Sequence, residues 1–195
     1  MTEQLLGQKE HDDIVYTQVK AIDQDISSKE FINCQFKNCD FSHSNFSFTF
    51  FEDCIFNESN LSLAQFKDTK LRNVRFENCK LLGISFALID KFIVDIAFKD
   101  CLIQDCNFSD LQLNKSVFQQ CRILDSDFIS TNLSECDFTY SILSGTKFNN
   151  SDLSCADFSF AKEYSINPTN NKISKMIITL PDAISFLKYF DLIIK

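Results

Sequence analysis

The chain has 195 residues, 45% of them hydrophobic, and a formal net charge of −8. That length suits one domain, and that charge excludes direct gripping of nucleic acid, which needs a basic surface. Three glycines and two prolines are too few for the many hairpins of an ordinary sandwich or barrel.

Residues 1–25 are polar, with six carboxylates against two lysines. Tyr16, Ala21 and Ile26 are five apart, so a first coil is expected near Tyr16, with Met1–Asp13 loose before it. The first coil of a repeat rod exposes unpaired backbone that templates aggregation. This segment is the expected cover.

From Ile26 to Phe86 every fifth residue is apolar, thirteen times without a miss. Neither the helical period of 3.6 nor the strand period of 2 produces that spacing. Two places before each central residue sits a smaller one, such as Cys34, Ser44, Thr49 or Ala64. A short fixed period means a solenoid. The pattern then loses phase, resumes at Phe98 and gives thirteen more hits to Phe158.

The step from 86 to 98 is either two repeats with two residues inserted or three repeats with three deleted. With four repeats to a coil, residues twenty apart stack. Phe36, Phe56 and Phe76 then share one face, and Phe46, Phe66 and Phe86 another. After the break, Phe98, Phe118, Phe138 and Phe158 share a face, as do Phe108, Phe128 and Phe148. Only a two-residue insertion joins Phe faces to Phe faces, so a bulge is expected within Ala87–Asp95. The whole reads as an all-β solenoid of about seven coils: a first repeat block 26–86, a phase-shifting bulge 87–97 and a second block 98–160.

After Phe160 the five-residue pattern stops. Segment 161–195 is expected to hold a polar linker, a strand within Ile173–Thr179 and a short α-helix from Pro181 to about Phe190. Pro suits the first helical position and Asp182 the first turn. Its apolar residues Ile184, Phe186, Leu187, Phe190 and Leu192 need burial, as a plug on the last coil, a dimer interface or both.

No chemistry of catalysis survives inspection. The glycines are single, so no phosphate-cradling loop exists. His11 and His43 are far apart, which leaves a nucleophile–His–acid triad improbable and no zinc-ligand spacing. No catalytic residue, metal or cofactor is expected. Eight of nine cysteines fall in the small inward slot as small buried hydrophobes. Cys34 should stack on Cys54, and Cys101 on Cys121, as free thiols in a reducing compartment. No apolar run approaches a membrane span and no charged-then-apolar leader opens the chain, so a soluble cytoplasmic protein is expected.

Units such as Cys39-Asp40-Phe41-Ser42-His43, Ser59-Asn60-Leu61-Ser62-Leu63 and Ala156-Asp157-Phe158-Ser159-Phe160 resemble the A(D/N)LXX motif of the pentapeptide-repeat family. That resemblance implies a right-handed quadrilateral β-helix with the central residue and the small one pointing inward. The break after Cys79–Gly83, and the closing run Asn167-Pro168 to Ile178-Thr179-Leu180-Pro181-Asp182-Ala183, are similar to the Qnr, albicidin-immunity and microcin-immunity members. The resemblance implies a dimeric, DNA-mimicking rod, joined through the C-terminal module, that binds type II topoisomerase (DNA gyrase or topoisomerase IV) and protects it from a poison. The chain lacks the long loops of Qnr, which brings it nearer the immunity type. Partner contacts are expected at Asp90, Lys91 and Phe92 in the bulge and at the outward carboxylates Asp127, Asp137 and Asp157. A scaffold for another protein partner is the alternative, since fold does not fix function.

Overall fold

The computed structural model describes residues 2–190. They wind into a right-handed, four-sided β-helix of about eight turns. Every ladder is parallel and, outside the phase shift and the bridge of Phe148 to Ile166, joins residues twenty apart: Phe31 with Phe51, Phe36 with Phe56, Phe128 with Phe148.

Inside, like stacks on like. Phe36 lies on Phe56 at 4.5 Å between ring centroids, Phe56 on Phe76 at 5.1 Å, and Phe76 on Phe98 at 5.0 Å, all near parallel. The column continues through Phe118 and Phe138 to Phe158. A second column runs Phe46, Phe66, Phe86, Phe108, Phe128, Phe148. The two meet edge to face across the interior, as Phe108 does with Phe118 at 5.7 Å and 90°. Parallel stacking along the rod and T-shaped contact across it are the two arrangements that the ring quadrupole favours.

The phase shift is a net two-residue insertion built from two events. Asp90 still donates its N–H to the Thr69 carbonyl at 3.0 Å, as a regular coil requires. Leu71 then pairs with Val94, whereas Val74 pairs with Ile96 and Phe76 with Phe98. Three residues, Lys91, Phe92 and Ile93, are therefore added, and one is withdrawn where Arg72 and Asn73 face Asp95 alone. A bulge of that kind re-aims a strand while keeping its flanks in register. The strand Lys70–Glu77 is the longest among the described residues, and Val94–Lys99 crosses with no left-handed residue of its own.

Elsewhere the corners explain how so few glycines suffice. Outside the phase shift, where Phe86–Leu88 is a 3-10 turn, the residue two after the central one is typically left-handed, from Asp13 (φ 54°) to Lys175 (φ 57°). Asn and Asp tolerate that region better than other side chains, which otherwise cost roughly 1–2 kcal/mol there. Only Gly83 and Gly145 use glycine at a corner, both in one column, where Leu63 and Asp125 of the coil before fill the space of a Cβ. Asp or Asn before the central residue closes the same corner. Asp137 Oδ1 accepts the Thr139 N–H and Asp157 Oδ1 the Ser159 N–H, each at 2.8 Å.

Both ends extend further than the five-residue pattern foretells. Met1–Asp13 was expected to be loose. Instead Thr2–Gly7 is a helix and Glu10–Asp12 a strand paired with Glu30–Ile32. His11 takes the place of an aromatic in the ladder, stacked on Phe31 at 4.4 Å, and Leu5 of the helix is fully buried. At the other end, segment 162–172 is no linker. Lys162 donates its N–H to Ser141, Lys172 to Ser151, and Ile177–Ile178 pairs with Asp157–Phe158. Tyr164 and Ile166 fill the central slots with irregular spacing, which hid them from a five-residue count. These two ends turn seven expected coils into about eight. The terminal helix, Asp182–Tyr189, is 3-10 rather than α, with Pro181 as its N-cap.

Candidate functional site

The small inward residues are more than fillers. Most of the hydroxyls and thiols among them reach back to the carbonyl of the central residue one coil below. Thr69 donates to Phe46 O at 2.7 Å, Thr146 to Ile123 O at 2.9 Å, and Cys54 to Phe31 O at 3.4 Å. Ser141 does double duty, donating to Phe118 O at 2.6 Å and accepting the Cys121 N–H at 2.9 Å. The eight inward cysteines are buried and all nine are free thiols. Cys34 stacks with Cys54 as expected, and Cys79 joins Cys101 and Cys121 because the phase shift realigns it. Hydrogen bonding to Cys101, then burial, raises the Cys79 and Cys121 thiols, while the bonds from those two neighbours lower Cys101. Burial shields these sulfurs from reagents, so their role is structural.

The surface carries its charge on the edges. Among the left-handed corner residues are eleven carboxylates and two lysines, a net of −9 against −8 for the chain. The undescribed residues hold Asp191 and Lys195, which cancel, so the two sums cover the same charge. The flat faces are near neutral. The preference of Asp for left-handed backbone is what concentrates them there.

The expected contact residues do not converge. Asp137 and Asp157 lie on one face, occupied by their corner bonds. Asp127 is on the opposite face, 3.3 Å from Lys147. Asp90 accepts the Phe92 N–H at 2.9 Å, which shapes the three-residue loop. Phe92 at its tip is 88% exposed and does not tuck onto the rod. It borders a shallow groove with Lys70, Arg72, Asp90 and Ile93. Phe48, off the central slots, stands exposed at a corner, and Phe50 lies beneath Arg72, 5.1 Å from ring to guanidinium.

The C-terminal end gathers exposed apolar side chains. Ile177, Ile178, Leu180, Ile184, Leu187 and Phe190 are all exposed. Tyr140 and Phe160 stack on each other nearby at 4.9 Å. Phe186 is different: it is 8% exposed and packs edge-on to Tyr164, so it is the plug. Leu192 lies outside the described residues. Among those residues no three His, Cys, Asp or Glu side chains gather as metal ligands, and no helix is long and apolar enough to cross a membrane.

The pentapeptide repeat region family matches residues 29–92, and pentapeptide repeats match 106–139 and 131–162. The chain belongs to the pentapeptide-repeat family. Two trypsin-treated forms of QnrB1, a plasmid-mediated fluoroquinolone resistance protein, superimpose on this pentapeptide-repeat rod. One does so at 16% identity and a TM-score of 0.69, over 100% of this chain and 95% of its own. The other does so at 16% identity and 0.66, over 93% of this chain and 100% of its own. At that identity the likeness establishes the fold. No curated protein matches the sequence.

Proposed function

We propose that this pentapeptide-repeat protein is a non-enzymatic binding factor that docks on a type II topoisomerase, DNA gyrase or topoisomerase IV, as a dimeric rod and protects it from a toxin or antibiotic. The observation that carries this reading is the pairing of corner carboxylates with an apolar C-terminal end. Six exposed apolar side chains, and a last strand paired on one side only, call for a cover at that end of the rod. A second copy seated there through Ile184, Leu187 and Phe190 doubles the rod's length. Similarity to the fold of a fluoroquinolone resistance protein supports the choice of partner.

Magnitude restrains the mimicry. The net −8 spreads over roughly 38 Å of rod at ~4.8 Å per coil, whereas duplex DNA carries about one charge per 1.7 Å. Shape and local contacts, including Phe92 and the Asp90–Lys91 loop, must therefore supply much of the affinity. That same restraint favours a second reading, a scaffold for another protein, because the corner acids already have a backbone reason to exist. Gyrase supercoiling in the presence of a poison, with and without the protein, separates the two. Rescue or inhibition supports the first, and indifference across several poisons supports the second.

A further inference from the structure

The phase shift leaves a notch on one edge of the rod. Its volume is about 300 Å³, and it opens between the strands Lys70–Glu77 and Val94–Lys99 and the corner at Lys115. The notch exists because Val94–Lys99 runs through without a corner, so one coil fails to fill the edge. Its floor is apolar where Ala97 and Val117 lie half-exposed over the buried Ile96. Its rim carries Arg75, Lys99 and Lys115 against Glu77 and Asp95.

Cations outnumber carboxylates here, three to two. Corners elsewhere hold eleven carboxylates, yet this edge resumes after the gap with Lys115, one of two cationic corner residues. Among the described residues Arg75 and Lys99 form no ion pair, and Lys115 has only a loose, exposed one with Glu135 at 3.9 Å. The groove beyond the bulge adds Lys70 against Asp90, with Arg72 already paired to Glu52 at 3.7 Å. A cationic rim over an apolar floor, on an otherwise acidic rod, selects its ligand by charge complementarity.

We propose that this notch is a docking site for an acidic polypeptide segment of a partner, one that alternates carboxylate with apolar side chains. The carboxylates meet Arg75, Lys99 and Lys115, and an apolar side chain rests on Ala97. A nucleic acid is the wrong polyanion: its charge continues past the notch along acidic edges, within the ~8 Å reach of unscreened repulsion at physiological salt. The site is independent of whether the rod binds a topoisomerase.

The test is fluorescence anisotropy with the full chain and a short labelled peptide of alternating glutamate and leucine. The matching lysine–leucine peptide and an oligothymidylate of equal charge serve as comparisons. Only the acidic peptide should bind, more weakly as salt rises. R75E/K99E should weaken it roughly tenfold or more, R75Q/K99Q by less, and K20E/K67E on other faces hardly at all, with the melting temperature of each variant showing that it folds. Three results overturn the proposal: no binding of the acidic peptide, equal binding of the oligothymidylate, or binding untouched by R75E/K99E. A variant that changes oligomeric state while keeping its peptide affinity would assign the notch to a second copy and equally overturn it.

Discussion

At the scale of single residues, the small slot and the first ladder position carry the sharpest consequences. Replacing Ser141 by alanine removes a donor to Phe118 O and orphans the Cys121 N–H, both buried. An unsatisfied buried group costs about 1–3 kcal/mol, so S141A should lower stability by that amount in denaturant melts, and S141C should recover part of it. A central ring is worth more: Phe118→Ala mid-rod should cost about 3–5 kcal/mol. His11 supplies a pH dependence. It is buried, shares a 2.6 Å hydrogen bond with the Tyr16 hydroxyl, and leaves Nε2 without a partner. Burial, then Lys29, lowers its pKa below 6.5. A depressed folded-state value means that the unfolded chain takes the proton first. The contribution is therefore complete above about pH 6.5 and is lost as pH falls through the lowered value. Melting temperature should drop from pH 7 towards 5, and His11→Phe should flatten that slope.

At the scale of elements, the sequence was legible wherever one residue type answers one geometric need. Phe in the central slot can only stack, so four repeats per coil, the two Phe columns and the two-residue net shift could all be read from order alone. What could not be read has a physical cause in each case. His11 is not apolar by composition, yet its ring packs like one. Tyr164 and Ile166 sit off the period because backbone pairing, not spacing, holds the last coil. The corner acids look like solvated surface until the left-handed backbone beneath them is seen. Of the candidate site, the bulge was foreseen as a place but not as a three-residue loop with an opposing one-residue bulge, since sequence reports only their difference. Two elements yield predictions. Phe92 makes no packing contact worth its exposure, so Phe92→Ser should leave the melt unchanged while weakening topoisomerase binding. At the other end, Ile184→Asp with Leu187→Asp should convert a dimer to a monomer in analytical ultracentrifugation with little loss of fold. Phe186→Asp instead should destabilise the last coil, because Phe186 is the buried one.

At the scale of the whole molecule, the rod is a neutral-faced prism with acidic edges, one apolar end and one interrupted edge. The carboxylates are scattered along the edges rather than set in unbroken rows; the edge through Gln18, Asn38 and Asn78 carries only Glu58 and Asp100. Binding that rests on shape should be less sensitive to salt than binding of DNA to the same enzyme, whose counterion release gives a steep slope. The claim that most directly bears on function is that rod and DNA seek the same surface. The decisive measurement is equilibrium competition on gyrase between labelled duplex and the unlabelled protein, read by anisotropy. If rod and DNA share that surface, the protein displaces the duplex with a saturating, mutually exclusive isotherm; a ternary complex in which both stay bound, or no binding of the protein at all, would contradict it.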